Sequence, residues 1–137
     1  MKIPLPENII EQQDLGHSLI LKRNDGVIEL RCDHMVTYTR ENVMENHLWI
    51  EKFADGKKAL VLTITGIYTF VEPDARKYTA TGPHKNFVAA EAFVLRSFMQ
   101  RVAGTLYLRI NRPIVPAKLF SIKNISKAEL WLLKHKT

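Results

Sequence analysis

The chain carries one cysteine, Cys32, among 137 residues. A lone thiol excludes an internal disulfide framework and any cysteine-rich zinc site. Glycine is sparse, and none of it is grouped into a phosphate-cradling loop of the mononucleotide or dinucleotide kind. No His-Glu-x-x-His or Cys-x-x-Cys spacing offers zinc its usual ligand pair. A Gly-x-Ser-x-Gly turn, which would present a nucleophile, is missing too. The histidines His17, His34, His47, His84 and His135 fall in different segments and share no i, i+4 spacing. These absences point to a non-enzyme with no catalytic residue, no metal and no cofactor.

Long apolar runs are lacking as well, and none approaches the ~20 residues of a membrane span. The opening stretch Met1-Lys2-Ile3-Pro4-Leu5-Pro6 is broken by proline and has no leader-like apolar core. A cytoplasmic protein without a transmembrane segment is expected, and a free thiol suits that compartment. Carboxylates become scarce along the chain, and after Glu91 only Glu129 remains. Residues 1–56 hold 6 basic and 10 acidic side chains, net −4, whereas residues 57–137 hold 14 basic and 4 acidic, net +10. The overall +6 is therefore the remainder of two opposed halves. Each half is short for a domain, so an intramolecular dipole or a single charged face is the better interpretation.

What is present is an ordinary globular composition, 46% hydrophobic and 25% charged, enough for one core. Residues 1–16 are polar and proline-containing and read as an N-terminal arm, leaving 17–137 as the domain. Two alternating runs, 18–23 and 27–32, flank Asn24-Asp25-Gly26 and predict a β-hairpin. Cys32 falls on its apolar face as a core thiol. Thr39 is an N-cap for a helix over 40–54, which Gly56 ends. His47 lies at the edge of the apolar face of that helix and reads as a satisfied, partly buried histidine. The apolar run Ala59 to Thr65 predicts a central strand covered on both faces. Pro73 opens a helix over 73–80, with Glu72 and Asp74 favourable to its dipole.

A second helix is expected over 86–102, carrying Phe87, Val88, Val94, Leu95, Phe98, Met99 and Val102 on its apolar side. Glu91 projects into the middle of that side. A buried carboxylate is costly unless paired. Either Glu91 meets a nearby Arg or Lys, or the helix is rotated or starts later, or the carboxylate belongs to a pocket. Residues 105–110 and 117–122 read as strands. Ser126 to Glu129 forms a capping box before a last helix, with Leu130, Trp131 and Leu133 as its anchors. The order β-β-α-β-α-α-β-β-α predicts a single-domain α/β sandwich with a mixed sheet of about five strands.

Arg96, Arg101, Arg109, Arg112 and Lys118, with Tyr107 among them, invite a nucleic-acid reading. They are evenly spread, and no nucleic-acid module is recognisable. Nucleic acid is therefore a disfavoured partner, and weak nucleic-acid or anion binding by the basic half is a secondary alternative.

Several stretches together resemble the STAS domains, and more closely the bacterial SpoIIAA-like group labelled STAS/SEC14-like. Asn24 to Leu30 resembles the opening hairpin of that group, Thr39 to Asn42 its first helix entry, and Ala59 to Ile67 its central strand. Leu106 to Pro113 and Ala128 to Leu132 resemble its closing elements. The resemblance implies a bacterial, non-enzymatic module that binds a partner protein or, in some relatives, a ligand. Phosphorylated members carry a Ser or Thr at the start of the helix after the central strand. Here that place reads Val71-Glu72-Pro73-Asp74, with no hydroxyl, which argues against a phospho-switch. Glu72, Asp74 and Arg76 are the candidate partner-binding residues. The alternative is a small apolar or lipid-like ligand held by Phe87, Glu91, Val94 and Phe98. An exposed edge strand or Trp49 offers a surface for a homodimer.

Overall fold

Gly26 adopts φ 92°, the left-handed conformation that a tight turn requires. It joins β2 (Ser18–Arg23) to β3 (Val27–Cys32) as the expected antiparallel hairpin. The Asp25 side chain locks the turn by accepting from the Val27 amide at 3.1 Å. The structure, a computed structural model, describes residues 3–136 apart from the Lys85 side chain. An arm over 1–16 is not what it contains. β1 (Ile9–Asp14) pairs antiparallel with β2 and extends the sheet. The Arg31 guanidinium also donates to the carbonyls of Ile3 at 2.8 Å and Pro4 at 2.7 Å. Backbone pairing at an edge needs no apolar alternation, so the polar run Glu11-Gln12-Gln13 gives no strand signal.

The main sheet has six strands in the order β1-β2-β3-β5-β7-β8. β5 (Ala59–Ile64) lies between β3 and β7 (Val88–Leu95), parallel to both, and β8 (Ala117–Ser121) continues the parallel half. Two-residue strands β4 (Thr37–Tyr38) and β6 (Phe70–Val71) pair beside it. The architecture is thus α/β, a mixed sheet with helices packed on both faces. One face carries α1 (Arg40–Ala54), α2 (Pro73–Thr81) and α3 (Phe98–Leu106). The other carries α4 (Ile125–Leu133), whose Ala128 and Leu132 pack on Leu60, Leu62, Ala90 and Ala92. None of the helices among the described residues is long and apolar enough to cross a membrane.

The second half departs from the sequence expectation. Residues 88–95 form β7 rather than a helix, and 105–110 continue α3 through a wider turn over Tyr107–Asn111. Alanine and glutamate favour helices in isolation. Here α4 lies directly over Ala90 and Ala92, both fully buried, and only small residues leave it room. Tertiary packing decides the outcome.

β7 also contains a bulge. Ala59 pairs with Val88 while Leu60 pairs with Ala90, so Ala89 is the extra residue. The bulge resets the alternation and sends both Val88 and Glu91 to the α1 face.

Two smaller corrections concern α4. Its N-cap is Asn124, so Ser126 lies within the helix and no capping box forms. Glu129 instead accepts from Arg23 at 2.6 Å. Ala128 and Leu132 are the buried anchors, while Leu130 and Leu133 are exposed.

Candidate functional site

α1 starts as its sequence dictates. Thr39 accepts from the Asn42 amide, and the Asn42 side chain accepts from the Thr39 amide. This reciprocal cap fixes the phase of the helix, so Val43, Asn46, His47 and Ile50 turn inward together. Opposite them, Leu30, Val61, Glu91 and Phe93 rise from the sheet, and Ala103, Gly104 and Tyr107 approach from α3. These elements enclose a cavity of about 180 Å³. Gly104 allows the close approach of α3, because a Cβ there would lie 3.0 Å from the Leu119 side chain. Phe70, exposed, and Arg76, half-buried, line it where it reaches solvent.

Among the polar side chains buried in or beside this cavity are Asn46, His47, His84, Glu91 and Tyr107, all 9% exposed or less. His84 Nε2 lies 3.0 Å from Glu91 Oε1. The His47 ring stacks between His84, at 4.4 Å, and Tyr78, at 5.5 Å. Tyr107 meets Phe93 edge-on at 5.7 Å. Asn46 Oδ1, His47 Nδ1, His84 Nδ1, Glu91 Oε2 and the Tyr107 hydroxyl make no hydrogen bond within the protein. Buried polar atoms without partners are rare, and five in one place call for water or a ligand.

Burial, together with the neighbouring His84, pulls the His47 pKa down to about 3, so its ring is neutral at ordinary pH. Burial and the Glu91 charge push the Tyr107 phenol upward, so it stays protonated. On the same lining, burial lifts the Cys32 thiol to about 12 and makes it the expected core thiol, a poor nucleophile.

A second polar group closes the end of the cavity near the start of α3. Gln100 Oε1 accepts from the Arg96 amide at 2.8 Å and the Thr65 hydroxyl at 2.8 Å. Its Nε2 donates to the carbonyls of Gly66 at 2.8 Å and Thr69 at 3.3 Å. This side chain is fully satisfied and serves as a latch between α3 and the loop after β5. The contrast with the five unpartnered atoms marks those as the functional candidates.

Of the residues expected to line a ligand pocket, only Glu91 does so. Val94 points to the opposite face, under α4. Phe87 packs against the core below α1, and Phe98 is 69% exposed on α3. A single helix over 86–102 would have gathered the four, but a bulged strand followed by a turn disperses them. Among the residues expected to meet a partner, Glu72 and Asp74 are exposed at the start of α2, and Arg76 lines the cavity. Glu72 takes the N-cap position without a side-chain capping bond. Trp49 is half-buried against Phe53, with the Lys52 ammonium over its ring, so it offers little free surface.

Tyr107 is buried, which removes the stacking aromatic of the nucleic-acid interpretation. Sequence reasoning missed Asn46, His84 and Tyr107 and took His47 as satisfied. Two adjacent polar residues at the centre of the apolar stripe of α1 were the available signal. No group of His, Cys, Asp or Glu among the described residues could hold a metal ion.

Residues 21–136 match the model of a domain of unknown function, DUF7793. The chain belongs to the DUF7793 family. That match spans every element lining the cavity, from β3 to β8, and starts within β2. No curated protein and no solved structure matches this DUF7793 chain at a significant level.

Proposed function

We propose that this DUF7793 domain is a non-enzymatic receptor for a small, largely apolar molecule with a polar head. One observation carries the proposal: an apolar cavity of about 180 Å³ whose buried polar side chains keep hydrogen-bonding atoms unpartnered. An apolar cavity of about 150 Å³ is large enough to bind benzene. The position of the cavity supports the same reading, since it reaches toward the carboxyl ends of β5 and β7, where open α/β sheets place ligands. Toluene is a suitable neutral probe. At tenfold excess over Kd it adds about 1.4 kcal/mol to stability. That corresponds to a rise in Tm of roughly 5 °C for a domain of this size. Ala103→Leu, which fills the cavity from α3, should abolish the shift. Absence of any shift in the wild type, or an equal shift in the filled variant, would rule out the receptor.

A second reading keeps the partner-protein role that the STAS resemblance implies, and a specific surface favours it. Phe98, Met99, Val102, Leu106 and Ile110 are exposed along one stretch of α3 and its extension, the first 69% and the last 71%. Exposed Arg101 and Arg109 lie between them. An apolar stripe edged by arginines suits a protein partner presenting an apolar ridge with carboxylates. Phe98→Glu with Leu106→Glu should remove such a partner from captured complexes and leave Tm within 2 °C. An unchanged set of bound proteins would exclude this face.

A further inference from the structure

We infer that the head group received by this cavity is a primary ammonium, so that the ligand is a small amine with an apolar body. The inference rests on the receptor reading above and specifies its chemistry. Among the described residues Glu91 is the sole carboxylate lining the cavity, and it is 4% exposed. Its Oε1 meets His84, while its Oε2 has no partner in the protein. No Lys or Arg among the described residues forms an ion pair with it. A buried carboxylate with one open oxygen repels an anionic head and attracts a cation.

The remaining open atoms point the same way. Asn46 Oδ1 accepts only, the neutral His47 ring accepts at Nδ1 when its proton is on Nε2, His84 Nδ1 accepts when its Nε2 proton donates to Glu91, and the Tyr107 oxygen can accept as well as donate. An ammonium brings three N–H donors and can satisfy several of these acceptors at once. A hydroxyl brings one donor, whereas a carboxylate brings none and, set beside Glu91, would meet a like charge. Aromatic rings add to the preference, because Phe93 and Tyr107 both line the cavity and attract cations through their faces. Among the described residues Arg76 is the only cationic side chain of the lining, and it is half-buried where the cavity reaches solvent. The volume, slightly above that of a benzene-binding cavity, suits about eight non-hydrogen atoms.

Benzylamine, benzyl alcohol, benzoate and toluene share one ring and differ at the head, so calorimetry with these four at pH 7.5 is the test. Benzylamine should bind at least ten times more tightly than benzyl alcohol or toluene, and benzoate should bind most weakly. Glu91→Gln keeps a partner for His84 but removes the charge. It should weaken benzylamine tenfold or more, and a cooperative urea transition like that of the wild type shows that the variant is folded. Benzoate binding as well as benzylamine, or benzylamine affinity unchanged in Glu91→Gln, would overturn the amine assignment. Toluene binding without preference for the amine would overturn it too and leave the receptor standing. Failure of all four probes to bind would remove the receptor and the amine together.

Discussion

Acidification from pH 6.5 to pH 4.5 should cost the wild-type protein about 2 kcal/mol of stability that His47→Phe does not lose. The cause is the burial of His47 between Tyr78 and His84, which holds its pKa at about 3 against an ordinary 6.5. Between those two values the unfolded chain carries a proton on His47 and the folded chain does not. Proton uptake therefore favours the unfolded state as the pH falls. The stability conferred by the neutral ring is complete above pH 6.5 and is lost down to about pH 3, at roughly 1.4 kcal/mol per unit. From its ordinary value of 3.8 downward Asp25, whose pKa burial raises but the hydrogen bonds from Arg23 and the Val27 amide lower further, adds a second loss until its folded carboxylate protonates. Urea unfolding at half-unit intervals of pH would measure this. Equal slopes in wild type and His47→Phe would show that His47 is not the group responsible.

Arg23→Met should destabilise the fold by about 3–5 kcal/mol, the range found when one partner of a buried ion pair is removed. Arg23 is 8% exposed and bonds Asp25 at 2.6 Å, Glu129 at 2.6 Å and Glu29 at 3.4 Å. Glu29 is 2% exposed and would keep only Arg31 as its cation. The loss comes from a carboxylate left under-compensated beneath α4. Removing that carboxylate as well should return part of it, so Arg23→Met with Glu29→Leu should be more stable than Arg23→Met alone. Chemical denaturation of Arg23→Met, Glu29→Leu and the double variant closes the cycle. A single-variant cost below about 1 kcal/mol would mean that water reaches Glu29 and the network is solvated.

From the hairpin to the second helix the fold is readable from sequence because its signals are local, whereas the polar edge strand β1 carries none. Asn24-Asp25-Gly26, the Thr39 cap and Pro73 act within a few residues, and each forms the element expected. The second half turns on contacts distant in sequence. Ala90 and Ala92 are in a strand because α4, more than thirty positions later, packs over them. Phe98, Val102 and Leu106 look like core residues by their spacing, yet their helix turns them to solvent. Glu91 stands out in sequence as a carboxylate in apolar company, and it is the residue that reaches the cavity. Its companions there come from α1, the segment after α2 and the extension of α3, and no spacing rule joins residues of three separate elements.

The extra residue Ala89 has a further consequence, for the fidelity of folding. Parallel strands can slide past one another, and a slip of one position exchanges the two faces of a strand. In β7 such a slip would drive Glu91 into the apolar layer beneath α4 and bring Ala92 or Val94 to the cavity instead. The misaligned sheet would bury a carboxylate against Leu62 and Leu132, far from His84. The same side chain that lines the cavity thus acts as a register key, penalising the slipped pairing while the chain is still assembling.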